Sequence, residues 1–109
     1  MKKQVNTNFY DLEKVRFIIK DACGIDIGYA YDDLVFAEHG LFMIKFLDKT
    51  STQLACWFNS EMPELQEIKM YDSLTKTASL NNATITYKGR FMMKQKSGSD
   101  EIDIEFVDV

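Results

Sequence analysis

Among its 109 residues the chain has one histidine, one proline, one tryptophan, two cysteines and two arginines. Each scarcity removes a class of chemistry. A single imidazole, His39, excludes a multi-histidine metal centre and any mechanism that needs two imidazoles. Thirteen Lys plus Arg against seventeen Asp plus Glu give a formal charge of −4. With Arg so rare, that is the wrong balance for tracking phosphates, an affinity that comes from basic side chains displacing counterions. Nucleic acid is therefore a disfavoured partner. No apolar run approaches the roughly 18 residues of a membrane helix, so no membrane partner is expected. Met1-Lys2-Lys3 opens like the basic start of a signal peptide, yet Gln4-Val5-Asn6-Thr7-Asn8 stands where its apolar stretch would have to be. The expected compartment is the cytoplasm, where the Asn82-Ala83-Thr84 sequon has no meaning. Cys23 and Cys56 both sit in apolar runs and read as small buried hydrophobes rather than as a bridge.

What is present is an apolar fraction of 46%, too high for disorder, in a length that suits one domain over residues 1–109. Residues 1–8 are polar and expected to fray. Asn8 offers a helix cap, Leu12, Val15, Ile19 and Ala22 recur at helical spacing, and Gly24 stands where a left-handed residue ends a helix. From Ile27 the pattern becomes that of strands, over 27–31, 34–38, 41–47 and 52–58. The turns between them are too short for a parallel crossover, so neighbours run antiparallel. Asn59 and Ser60 offer caps for a second helix, with Pro63 tolerated in its first turn. Leu65, Ile68, Tyr71, Leu74 and Ala78 form its stripe, leaving Glu64 and Glu67 off it.

The last third reads as a long hairpin, 83–96 and 101–107, around Ser97-Gly98-Ser99-Asp100. Ile85, Tyr87, Phe91 and Met93 share one face of its first arm. Lys88, Arg90, Lys94 and Lys96 face Glu101, Asp103 and Glu105 across it, so the basic run and the acidic tail answer each other. The fold class is α+β: two layers, a largely antiparallel five- or six-stranded sheet with two helices on one face, in the order α-β-β-β(-β)-α-β-β.

A sheet covered on one side alternates apolar and polar residues along each strand, and the middle strands do not. Phe42, Ile44 and Phe46 make one face and Leu41, Met43 and Leu47 the other. Leu54, Cys56 and Phe58 oppose Ala55 and Trp57, with Tyr29, Tyr31 and Met92 joining the second face according to register. Two helices cannot cover both sides. A second apolar face this large calls for a cover: another copy of the chain, another protein, a ligand, or the sheet itself curling over. The residues expected at such an interface are Leu41, Met43, Leu47, Trp57, Tyr29 and Tyr31.

No catalytic, cofactor-binding or metal-binding residue is assigned. His39 stands in a turn, and a Cys56 inside an apolar strand is an inert thiol. Asp32, Asp33, Glu38 and His39 bracket a strand roughly 17 Å long and do not converge on one ion. Lys88-Gly89-Arg90-Phe91 weakly resembles the start of an RNA-recognition-motif core strand, but the spaced aromatics and the β-α-β-β-α-β order of that family are absent. The element order, size and acidity resemble the small dimeric chaperones of bacterial secretion systems, with no motif matched. The reading is a non-enzymatic protein-interaction or chaperone-like module, binding through the second sheet face to itself as a homodimer or to another protein. One alternative is a ligand-binding or enzymatic pocket between helices and sheet, with Tyr29, Tyr31, Tyr71 and His39 as polar contributors. Another is an acidic regulator of a nucleic-acid system acting through the carboxylates of residues 100–108.

Overall fold

The structure, a computed structural model, describes residues 10–95, Gly98 and residues 102–109. The stretch expected to fray and most of the Ser97–Asp100 turn lie outside the described residues. The elements in chain order are α1 (Leu12–Cys23), β1 (Ile27–Tyr31), β2 (Leu34–Ala37), a single 3₁₀ turn (Glu38–Gly40), β3 (Phe42–Phe46), β4 (Gln53–Asn59), α2 (Glu64–Leu80), β5 (Thr84–Gln95) and β6 (Ile102–Asp108). They form one open six-stranded sheet in the order β1-β2-β3-β4-β5-β6. The three short connections give antiparallel pairs, as their length requires, and β5 and β6 also run antiparallel. Only β4 and β5 are parallel, because α2 carries the chain back over the sheet between them.

Both helices lie on one face. Val15, Ile18 and Ile19 of α1 and Leu74 and Ala78 of α2 come down on Phe42, Ile44, Phe46, Leu54, Cys56, Phe58 and Ile85. Burying a side chain of this size contributes roughly 1.5–3 kcal/mol, so this cluster dominates the stability of the fold. Tyr10 stacks on Phe46 with ring centroids 4.7 Å apart, closing one end.

Three local expectations are corrected. The first concerns the cap of α1, which is Asp11 and not Asn8: its carboxylate accepts the Lys14 N–H at 3.0 Å while its own N–H donates to Ser51 Oγ at 2.8 Å. Gly24 ends the helix as expected, left-handed at φ 75°.

The second concerns α2, which begins at Glu64 directly after Pro63, without a side-chain cap. Asn59 is occupied elsewhere, donating to the Gly40 carbonyl and accepting the Glu61 N–H. The stripe of α2 is rotated from the expected one. Glu67, Leu74, Thr77 and Ala78 are buried, whereas Leu65 and Ile68 face solvent.

Third, the register of β5 slips by one residue between Tyr87 and Gly89 as it follows β4. A bulge of this kind turns the rest of the strand over. Tyr87 pairs with Cys56 on the helix side, whereas Phe91 pairs with Asn59 and joins Trp57 on the other side. Ile85 and Tyr87 therefore do not share a face with Phe91 and Met93. The same slip carries Arg90 to the helix side, where it meets Glu67 rather than the acidic tail. Lys94 does meet the tail, 3.6 Å from Glu105.

Candidate functional site

The register places one row of side chains across the whole second face. Tyr29 pairs with Phe36, Phe36 with Met43 and Met43 with Trp57, and Phe91, Met93, Ile104 and Phe106 follow on β5 and β6. Met92, offered for this face from sequence, lies on the opposite one because of the bulge. The floor is a second core of Met43, Ala55, Trp57 and Phe91, with Leu34 and Phe36 packed against it.

The chain supplies the roof itself. Gly89 has φ 144°, and a side chain there would run into the Val107 carbonyl and the Asp108 backbone, so only glycine lets β6 approach this closely. The hairpin then folds across the sheet. Phe106 meets Trp57 edge-on with centroids 5.1 Å apart, and the Trp57 indole N–H donates to Asp108 Oδ1 at 2.7 Å. At the other end Met93 reaches the 3₁₀ turn, close enough to Gly40 that a Cβ there would touch its terminal methyl.

The curl is incomplete. It leaves a trough between the β1–β2 edge and the β5–β6 arm, with a cavity of about 410 Å³ lined by Gly28, Tyr29, Phe36, His39, Met93 and Ile104 among others. A smaller one of about 290 Å³ lies beside Trp57, between Asp33, Leu34, Lys45, Phe106 and Asp108. Of the residues expected at an interface, Met43 is wholly buried and Trp57 is 8% exposed, so neither offers surface to a partner. Leu41 packs against the helix-side core instead of the second face, because its helical backbone (φ −66°, ψ −39°) lies outside the alternation of β3; Leu47 is exposed, and Tyr29 and Tyr31 stand out at 60% and 62% exposed along β1, an edge strand of the sheet. Met93, Ile104 and Phe106, which sequence reasoning did not place at the rim, complete its far wall. The bulge that put them there carries one signal in the sequence, the lone Gly89 inside a strand.

A polar cluster lies on the helix face at the seam of α2 and β5. Glu67 is 6% exposed and accepts the Tyr87 hydroxyl on Oε2 at 2.6 Å, while Arg90 Nε lies 3.1 Å from Oε1. The Arg90 N–H is not aimed at Oε1, which has no hydrogen-bond partner. Burial first, and then the bond to Glu67, hold the Tyr87 phenol above its ordinary pKa. Tyr71 donates to the Ile85 carbonyl at 3.0 Å and accepts the Tyr87 N–H at 3.1 Å. It thereby supplies the bonds a neighbouring strand would make, where β6 does not extend alongside β5. Tyr71 is thus separated from Tyr29, Tyr31 and His39, which lie on the other side of the sheet, so the four do not line one pocket.

Among the described residues no group of three or more His, Cys, Asp or Glu side chains could hold a metal ion. Both cysteines are free; burial pushes the Cys23 thiol up to about 11 and the Cys56 thiol well above its ordinary value. Among the described residues no helix is long and apolar enough to cross a membrane. No protein-family model, no curated protein and no solved structure matches the chain.

Proposed function

We propose that the protein is a non-enzymatic binding module of the cytoplasm that recognises another polypeptide along the trough of its second sheet face, and that the first such polypeptide is a second copy of itself. The observation that carries this reading is the rim. Tyr29, Tyr31, Met93, Ile104 and Phe106 are all substantially exposed, on two walls that face each other over an apolar floor. Tyrosine and phenylalanine there supply large contact area at small entropic cost, the property that enriches aromatics at interfaces. Beside them, among the described residues, no strand lies on the outer side of β1, so backbone pairing can add to side-chain contact. A twofold pair uses the same patch on both subunits, so one rim suffices for both.

Sedimentation equilibrium from roughly 1 to 300 µM tests the proposal, since a weak pair dissociates by mass action over such a range. A concentration-dependent dimer is expected, and Tyr31→Lys, which places a charge on the rim outside the core, shifts it to monomer. A strict monomer throughout, or a dimer indifferent to Tyr31→Lys and Tyr29→Lys, overturns the self-association reading.

A further inference from the structure

Among the described residues the sheet ends at β1 and at β6, and the two edges differ in the respect that governs strand pairing. β6 carries Asp103, Glu105 and Asp108, and charged side chains on an edge strand discourage another strand from docking there. β1 reads Ile27-Gly28-Tyr29-Ala30-Tyr31, with neither charge nor proline, and every residue after Ile27 is exposed.

The neighbouring hydrogen bonds fix which way the backbone of β1 points. The Asp33 carbonyl accepts the Phe46 N–H at 2.9 Å, so residue 33 faces β3. Backbone groups alternate from side to side along a strand, so Leu34 and Phe36 face β1, where they pair with Tyr31 and Tyr29. Ala30, between the two tyrosines, therefore aims its N–H and C=O outward, away from β2. On one side of it the bulge at Gly28 ends the regular stretch, and on the other Asp32 turns the chain at φ 54°. The segment open to a further strand is thus Tyr29-Ala30-Tyr31, centred on Ala30.

A second copy of the same segment fits it. With Ala30 opposite Ala30 of the second copy on a twofold axis, the two residues exchange both backbone bonds. Tyr29 of each chain then faces Tyr31 of the other at the closer, non-hydrogen-bonded spacing of about 4.5 Å between Cα atoms, where aromatic pairs are favourable. The adjacent registers are worse. Centring on Tyr29 sets Asp26 against Asp32 of the other copy and draws both bulges into the ladder, while centring on Tyr31 runs Ala30 onto the left-handed Asp32. Pairing β1 with β6 of another copy brings Asp26, Asp32 and Asp33 toward Asp103, Glu105 and Asp108, and such head-to-tail contacts do not close on themselves.

We propose that two copies join by antiparallel pairing of β1 on a twofold axis through Ala30, merging two six-stranded sheets into one. Tyr31 of each copy then stands beside Tyr29 of the other and completes the wall of its trough. This rests on the self-association proposed above and names its seam.

Amide hydrogen exchange of the intact chain, read by NMR at about 20 µM and about 1 mM, tests it. The Ala30 N–H exchanges from the lone chain, so its rate should fall roughly three- to sevenfold as mass action lowers the monomer fraction. The Tyr29 and Tyr31 amides, already directed at β2, should change less. Oxidative cross-linking reads the register, with the parent chain as control for Cys23 and Cys56. A mixture of Tyr29→Cys and Tyr31→Cys chains should form a linked pair faster than either variant alone, because only the mixture sets two new thiols directly opposite each other. Association by sedimentation with Ala30 exchange independent of concentration overturns the β1 seam and leaves self-association standing, whereas a strict monomer overturns both. Linking no faster in the mixture than in either variant alone overturns the pairing through Ala30.

Discussion

On one side of the sheet, two helices seat Val15, Ile18, Ile19, Leu74 and Ala78 on Phe42, Ile44, Leu54, Cys56 and Phe58; on the other, the cover of Trp57 and Met43 is the sheet's own last hairpin. The difference is one of reach. A helix about 10 Å wide spans two strands and excludes water along its whole length. A curling strand pair covers only what it bends over, and then leaves its outer side chains at a rim. So the helices bury the central row from Phe42 to Phe58 completely, whereas the strand side is closed over Trp57 and open as a trough from Tyr29 to Met93. One face stabilises the chain. The other both stabilises it and keeps apolar surface available.

The largest expected effects test whether the second core is a core in the lone chain. Phe58 and Phe91 are both fully buried, one on each face. If the hairpin roof holds in solution, Phe58→Ala and Phe91→Ala each cost about 3–5 kcal/mol by urea denaturation. A Phe91→Ala cost of about 1 kcal/mol beside an intact Phe58→Ala penalty would break the comparison, because the roof would then be transient.

Gly89 controls that roof. Gly89→Ala sets a Cβ against the backbone of Val107 and Asp108 and should cost about 3 kcal/mol, with a red shift of Trp57 fluorescence as β6 lifts. Gly24→Ala is the matched control. Its φ of 75° is also left-handed, but nothing lies within 4 Å of the added carbon, so it should cost only about 1 kcal/mol and leave Trp57 emission unchanged.

The residues that carry this asymmetry were unequally legible. Short turns such as Asp32-Asp33 and Asp48-Lys49-Thr50-Ser51 reveal the antiparallel order β1 to β4, since chain length alone decides it. The double apolar character of β3 and β4 reveals that both faces are covered. Which element covers the second face is hidden, because it turns on a one-residue slip near Gly89 that no period-two pattern contains. The burial of Glu67 is hidden for a related reason. A helical stripe of Leu65, Ile68 and Tyr71 outscores one containing a carboxylate, and only the tertiary pairing of Glu67 with Tyr87 and Arg90 reverses that preference.

A smaller change probes the latch between Trp57 and Asp108. Trp57→Phe keeps most of the ring in the second core but removes the N–H that Asp108 accepts. A net loss of about 1 kcal/mol is expected, typical of one hydrogen bond. Hydrogen exchange should quicken in β6 more than in α1 or α2, since the latch belongs to one face only. Equal quickening of both would mean that the two covers open as one unit.

The last comparison concerns Asp48, in the turn that joins β3 and β4 and thus belongs to both faces. Its carboxylate accepts from the Thr50 and Thr52 hydroxyls at 2.6 Å each and from the Thr52 and Gln53 N–H groups at 3.0 Å each. The hydroxyl bonds foremost, and then the backbone ones, hold its pKa well below the ordinary carboxylate value. A depressed pKa in the folded chain means a contribution fully present above the unfolded value of about 3.9 and lost as pH falls toward the folded one. Asp48→Asn should therefore be less stable than the parent at neutral pH, and the gap should close as pH falls below about 4. Because β3 and β4 carry both cores, Trp57 emission and helix circular dichroism should report the same acid midpoint in the parent chain. Separate midpoints would show that the strand-made roof opens before the helical one.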